Sequence, residues 1–395
     1  MASILKESNL NSKGVIVFTH KEKVLFENKY LMHILKKEVL KLKSMYFFAM
    51  HWGHYHNNIE TIDLIDFHFA GQGTVVFKNP EENYHIPLCS RNFSSTLFKK
   101  KNFTKIYDII NISRPLRLKN IDEFFIVIKK MISKNFFPKV LIICPLSVDF
   151  YQNNHNYMEI YSDYMAMFSS KERESITLML LSPEGSPFTL SEEAISDFMN
   201  LSKVFTLFSD KEGESRVVSE ALLCGLPVVV KKNLIGGAKD YLNDTNSKLF
   251  TSLDEAADIF IDLISNYSKY QFDTKKLEQE LSEKYTNEVL IDSLKVFFSK
   301  KNEVFSGEIF LENLAKKLPS HENLLSKKIA YGEHDDIITY QGFYWFLMKF
   351  TNSPKRPFLY LNVFIVDFIY KLVSILRSQV KKILIFFGLY SLLRK

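Results

Sequence analysis

Cysteine is scarce. Cys89, Cys144 and Cys224 are the full set in 395 residues, and they are far apart, odd in number and set in apolar surroundings. That excludes a disulfide scaffold and any paired-cysteine zinc or redox site, and makes a reducing compartment the expectation. The opening MASILKESNLNSKG has no apolar stretch of the length a secretory signal requires, so a cytoplasmic location is expected. Glycine (13) and proline (11) are too few for a collagen-like or low-complexity chain. With 24% charged and 46% hydrophobic residues the chain has the composition of a folded protein, long enough for two or three domains. What it has in excess is aromatic: 35 Phe and 19 Tyr supply apolar area for a core, with some to spare for a membrane or partner surface.

The net charge of +6 is not spread evenly. Residues 355–395 hold Lys355, Arg356, Lys371, Arg377, Lys381, Lys382, Arg394 and Lys395 against Asp367 alone, so the rest of the chain is close to neutral. These cations alternate with long apolar runs, PFLYLNVFIVDFIYKLVSIL and KKILIFFGLYSLLRK. Such a pattern suits an anionic lipid surface better than a nucleic-acid groove, and a helical tail lying in or on a membrane is expected. The run from 358 to 376 carries Asp367 and Lys371 and falls short of a spanning segment, for which ~20 mainly apolar residues are needed. A helical hairpin covering the first lobe is the alternative reading of the same run.

Along the body, GVIVFTH (14–20) reads as a strand, 22–45 as helical, and MYFFAMH (45–51) as a second strand. A short first lobe, residues 1–100, ends in a Ser- and Lys-rich loop. From 105 the alternation is regular. The strands KIYDIINIS, KVLIICPLS, SITLMLLSPEG, KVFTLFS and LPVVVK are separated by IDEFFIVIKKMISK, NYMEIYSDYMAMFSS, SEEAISDFMNL and ESRVVSEALLCG, which read as helices. Parallel strands need crossover helices, so residues 101–300 are expected to form an α/β doubly wound, Rossmann-like lobe with ligands at the carboxyl ends of its strands. Residues 301–354 read as a helical extension, and 355–395 as the basic tail.

The informative stretch is 207–242, LFSDKEGESRVVSEALLCGLPVVVKKNLIGGAKDYL. A strand ends at Ser209, a polar loop follows, and a helix begins near Ser215, whose free N–H groups suit an anion. Glu212 and Glu220 stand with seven residues between them, two carboxylates able to accept from sugar or ribose hydroxyls. Gly225-Leu226-Pro227 closes the helix before the buried strand Val228–Val230. Near the start of the lobe, Arg114-PLRL-Lys119-Asn120 follows a strand.

These elements resemble the retaining glycosyltransferases of the GT-B fold, in particular family four, also called group 1. The likeness lies in the Glu212-x7-Glu220 element joined to Ala221-Leu-Leu-Cys-Gly225-Leu-Pro227-Val-Val, in Gly236-Gly237…Asp240-Tyr, and in the Arg-x4-Lys-Asn loop. The resemblance implies two Rossmann-like lobes, the N-terminal one shortened here. It implies that Arg114 and Lys119 hold the diphosphate, that Glu212 is catalytic and contacts the donor sugar, and that Glu220 contacts the ribose. Gly213, Glu214, Ser215 and Arg216 would cap the phosphates. No Asp-x-Asp occurs, in keeping with a family that usually needs no metal or other cofactor.

The implied activity is hexosyl transfer, with retention, from a nucleotide-diphosphate sugar to a lipid-linked or polysaccharide acceptor. Its implied setting is assembly of a surface polysaccharide such as capsule, lipopolysaccharide or O-antigen, at the inner face of the cell membrane and without nucleic acid. A non-catalytic nucleotide-sugar-binding or scaffold subunit is the alternative, and an epimerase on the same fold a third reading. Two departures bear on the acceptor side: GVIVF runs into Thr19-His20-Lys21-Glu22 where relatives have a Gly-rich loop, and HIPLCSRNF replaces the family's hinge. The family often places a histidine in the first lobe, and His51, His54, His56 and His68 are all candidates. HWGHYHNN has no Cys, Asp or Glu beside its histidines and reads as a polar loop, not a metal site.

Overall fold

The computed structural model describes residues 3–19, 22–52, 58–59, 62–70, 76–77, 84–88, 93–145, 155–181, 190–212, 215–311, 340–352, 354 and 356–386. Thirteen strands are present among them: β1 (Ser3–Lys6), β2 (Gly14–Thr19), β3 (Tyr46–Trp52), β4 (Asn58–Ile59), β5 (Phe67–Ala70), β6 (Val76–Phe77), β7 (Tyr84–Pro87), β8 (Tyr107–Ile112), β9 (Val140–Pro145), β10 (Ile176–Leu181), β11 (Ser202–Leu207), β12 (Val228–Lys231) and β13 (Ser247–Phe250). They form a five-stranded sheet, order β1-β2-β3-β5-β7, a six-stranded sheet, order β10-β9-β8-β11-β12-β13, and a small pair, β4-β6. Two α/β lobes result, the GT-B-like architecture expected.

The six-stranded sheet is parallel throughout. Counted in chain order its strands lie 3-2-1-4-5-6, the doubly wound arrangement. Its residues alternate between two buried faces. Ile109, Val140, Ile142, Val204 and Val229 pack beneath the helices Ile121–Ser133 and Leu253–Ser265. Ile110, Leu141, Ile143, Phe205, Val228 and Val230 pack under Glu192–Asn200 and Arg216–Leu223. Burial on both faces explains why these strands read as unbroken apolar runs.

The first sheet differs. β1 joins antiparallel at its edge while β2, β3, β5 and β7 are parallel. The helical segment read over 22–45 is three pieces, Lys23–Glu27, Lys29–Ile34 and Lys36–Met45, the first break falling at Asn28, whose side chain caps the second piece by accepting from Leu31 N. One face of the sheet carries Phe18, Phe48 and Met50 against these helices. The same cluster takes in Tyr340, Phe343, Tyr344, Phe346 and Leu347 from the helix Tyr340–Phe350. The other face carries Phe47, Phe67 and Phe69 against Leu290, Leu294, Phe297 and Phe298 of the helix Glu283–Lys300. The helix Glu283–Lys300, which falls within the 101–300 range expected for the second lobe, and the helix Tyr340–Phe350 therefore complete the two faces of the first.

The expectation of helix after 301 does not hold for 301–311, which runs as an irregular strip along β1, with Phe310 N donating to Leu5 O at 2.7 Å. The tail forms the helix Pro357–Phe386. Val363 is buried in the first core and Leu359, Tyr360 and Val366 rest against it, while Phe358, Leu361, Phe364, Ile365, Phe368 and Ile375 face outward. The tail thus covers the first lobe with one side and presents apolar surface with the other. No helix among the described residues is long and apolar enough to cross a membrane.

Candidate active site

In a 3-2-1-4-5-6 sheet the strand order reverses between the first and fourth strands, and the loops beyond their carboxyl ends diverge to leave a crevice. Here those strands are β8 and β11. The loop after β8 carries Arg114 to Asn120, and the loop after β11 carries Ser209 to Ser215. Topology alone therefore brings the two charged motifs of the sequence together.

Their side chains meet. The Lys119 ammonium is hydrogen-bonded and ion-paired to Glu212 Oε1, with side-chain exposures of 11% and 7%. Lys119 ends a short 3-10 turn, Arg117–Lys119, and Asn120 beside it takes the left-handed conformation (φ 47°) that an asparagine tolerates, allowing the chain to enter the helix Ile121–Ser133. Arg114 stands exposed on the same loop. Arg117 points elsewhere, paired at the surface with Glu159.

Glu220 is buried in the middle of Arg216–Leu223 and pairs with Arg216 one turn earlier at 2.5 Å; Arg216 also reaches Glu192 at 3.0 Å. Burial raises the pKa of Glu220, and the Arg216 charge opposes that rise. Ser215 occupies the N-cap position but makes no side-chain capping bond, so that helix start is not closed by its own cap. The far end closes as the sequence indicates. Gly225 has φ 78°, with Gly225 N bonded to Leu222 O and Leu226 N to Ala221 O, a Schellman ending. Gly213 and Glu214 lie outside the described residues.

Two buried hydroxyls, Ser113 Oγ and Ser209 Oγ, sit just past the ends of β8 and β11 without a hydrogen-bond partner among the described residues. Sequence reading missed them, since serine in a loop carries no distinguishing signal. It also missed Lys231. A lysine ending the buried run Val-Val-Val was visible, yet nothing local showed that it sits between Asp210 (2.6 Å) and Glu123 (2.7 Å). Among the histidine candidates, His51 and His68 are buried on β3 and β5, and His54 and His56 lie outside the described residues. His68 is paired in register with His85 of β7, and burial together with His85 lowers its pKa to about 4. Among the described residues no group of three or more His, Cys, Asp or Glu is placed to hold a metal ion.

Residues 185–285 match the family model described as glycosyl transferases group 1. The segment that carries Glu212, Glu220 and the Gly225 turn is thus of glycosyltransferase type, set in a two-lobed α/β fold. No curated protein matches the chain. Among solved structures it is similar to TarM, at 16% identity over 72% of this chain and 54% of that one, with a TM-score of 0.48. It is similar also to the pneumococcal O-GlcNAc transferase GtfA, at 14% identity over 73% of this chain and 57% of that one, TM-score 0.46. A third is sucrose-phosphate synthase from Thermosynechococcus elongatus, at 10% identity, 73% and 74% coverage and TM-score 0.46. The chain spans little more than half the length of the first two.

Proposed function

We propose that the protein transfers a hexose from a nucleotide-diphosphate sugar to a lipid-linked or polysaccharide acceptor, with retention and without a metal, in surface polysaccharide assembly. The observation that carries this is the direct contact of Lys119 with Glu212 across the switch point of a group 1 glycosyltransferase segment. A lysine fixed there offers charge to a departing diphosphate, as Arg114 on the same loop does. Glu212, on the opposite loop, accepts from the sugar, and Glu220 from the ribose. Ser215 and Arg216 sit at the helix start where phosphate oxygens would find N–H groups and a cation. The outward apolar side of Pro357–Phe386, on a tail rich in Lys and Arg, supports attachment to an anionic membrane surface at the cytoplasmic face.

Binding of UDP-, GDP-, ADP- and CMP-sugars tests the donor site. One diphosphate sugar should bind saturably and lose that binding in Lys119→Ala and Glu220→Ala. If no donor binds, a non-catalytic scaffold replaces this reading. For the tail, Phe364→Ser with Phe368→Ser should abolish co-sedimentation with anionic vesicles; unchanged pelleting rejects the membrane role.

A further inference from the structure

Strand β12 lies inside the second sheet, between β11 and β13, and ends in Lys231, which is 8% exposed. Its ammonium is held between carboxylates of two other elements, Asp210 Oδ1 from the loop after β11 and Glu123 Oε2 from the first turn of Ile121–Ser133. Burial alone would pull that ammonium toward deprotonation, but the bonds from Asp210 and Glu123 outweigh it and raise its pKa. Asp210 in turn is held below the ordinary carboxylate range, first by Lys231 and also by Asn120.

The links continue to the site. Asn120 Nδ2 donates to Asp210 Oδ2 at 3.0 Å and to Phe208 O at 3.1 Å. Asp210 O accepts from Ile235 N at 2.9 Å, and Ile235 O accepts from Glu212 N at 2.8 Å. Two rungs therefore cross the switch point side by side, Asn120 to Asp210 and Lys119 to Glu212, one residue apart on one loop and two on the other. Removing the Lys231 charge would leave Asp210 and Glu123 facing each other as like charges, and the lower rung would lose its anchor.

We infer that Lys231 and Asp210 are positioning residues for Glu212, holding the 208–212 loop at the depth where the Glu212 carboxylate meets the donor sugar. They act through the loop, and the role rests on the donor-site reading above. It departs from a plain structural role in one respect: it concerns the sugar end of the donor, which Glu212 faces, and not the nucleotide end.

The test compares affinity for a nucleoside diphosphate with affinity for its sugar nucleotide, UDP and UDP-glucose first and then the GDP and ADP pairs, in the full chain. The ratio of the two isolates what the sugar contributes. It should fall about tenfold or more in Lys231→Met, as for a binding group displaced by an ångström or so. It should fall alike in Asp210→Ala and Glu212→Ala, and no further in the double variant Lys231→Met/Asp210→Ala, because the residues act as one unit. Affinity for the bare diphosphate should stay near wild type, and Lys231→Arg should restore the ratio. An unchanged ratio in Lys231→Met overturns the inference, and so does an equal loss of both affinities with a lowered melting temperature, which marks a structural role. A wild-type protein that binds none of the diphosphates rejects the donor site itself. A Glu212→Ala ratio equal to wild type rejects the assignment of Glu212 to the sugar.

Discussion

The two lobes are stabilised at different ranges along the chain. In the second, every strand of the parallel sheet and the helices packed on it come from one continuous stretch, residues 107 to 280. In the first, the sheet is finished by residue 87, but its two faces are filled by Leu290 to Phe298 and by Tyr340 to Val363. The ring of Phe18 meets that of Phe346 at 6.1 Å, and Phe26 meets Phe343 at 5.7 Å. One lobe is built from a single continuous stretch of chain, while the other is a local sheet completed by a distant chain end.

Removing a distant contact should have the largest effect. Phe343→Ala empties a fully buried site in the first core and should cost about 3–5 kcal/mol. Denaturation followed by two probes should then separate into two transitions, with nucleotide binding lost only in the second. Next comes Lys119→Met, which leaves Glu212 buried without its cation and should cost about 3 kcal/mol. The pair Lys119→Met/Glu212→Gln should regain most of that loss in a thermal melt while remaining unable to bind a donor.

Acid should act on the first lobe through His68. His68 is neutral in the fold, with a pKa lowered to about 4, but titrates near 6.5 when unfolded. The unfolded chain therefore binds the extra proton first. Stability is intact above pH 6.5, falls as the pH drops toward 4, and by then has lost at most about 3 kcal/mol through this residue. Melting curves across that range should show the slope for wild type and a flatter one for His68→Phe. The smallest effect belongs to the second lobe. Ser252 caps Leu253–Ser265 by accepting from Glu255 N, and Ser252→Ala should cost about 1 kcal/mol in the transition that carries nucleotide binding.

What could be read from sequence follows the same division. The second lobe was legible because most of its elements signal themselves within a short window: apolar runs for β8 to β12, a Gly-Leu-Pro stop after Leu223, and the Glu-x7-Glu spacing. β13, Ser247–Phe250, escaped because Ser-Lys-Leu-Phe is too short and too mixed to announce a strand; its parallel pairing with β12 decides it. In the site, Lys119 and Glu212 were legible as separate motifs, and their contact is a product of strand order. Lys231, Asp210 and Glu123 were not, since no spacing in the sequence links three charges on three elements. β1 was missed for a related reason. Its Lys6 looks like a surface residue but is buried, its ammonium satisfied by Ser12 Oγ at 2.9 Å and Lys13 O at 2.7 Å.

The placement of Tyr340–Phe350 in the first core also sets an order of events at the ribosome. At ~5–20 residues per second, on the order of tens of seconds separates synthesis of Phe48 from that of Phe343. During that interval the aromatic cluster of Phe18, Phe26 and Phe48 lacks the rings of Phe343 and Phe346, while the second lobe can already fold. The lobe made first is thus the one finished last, and in the meantime the nascent chain displays the kind of surface that chaperones bind.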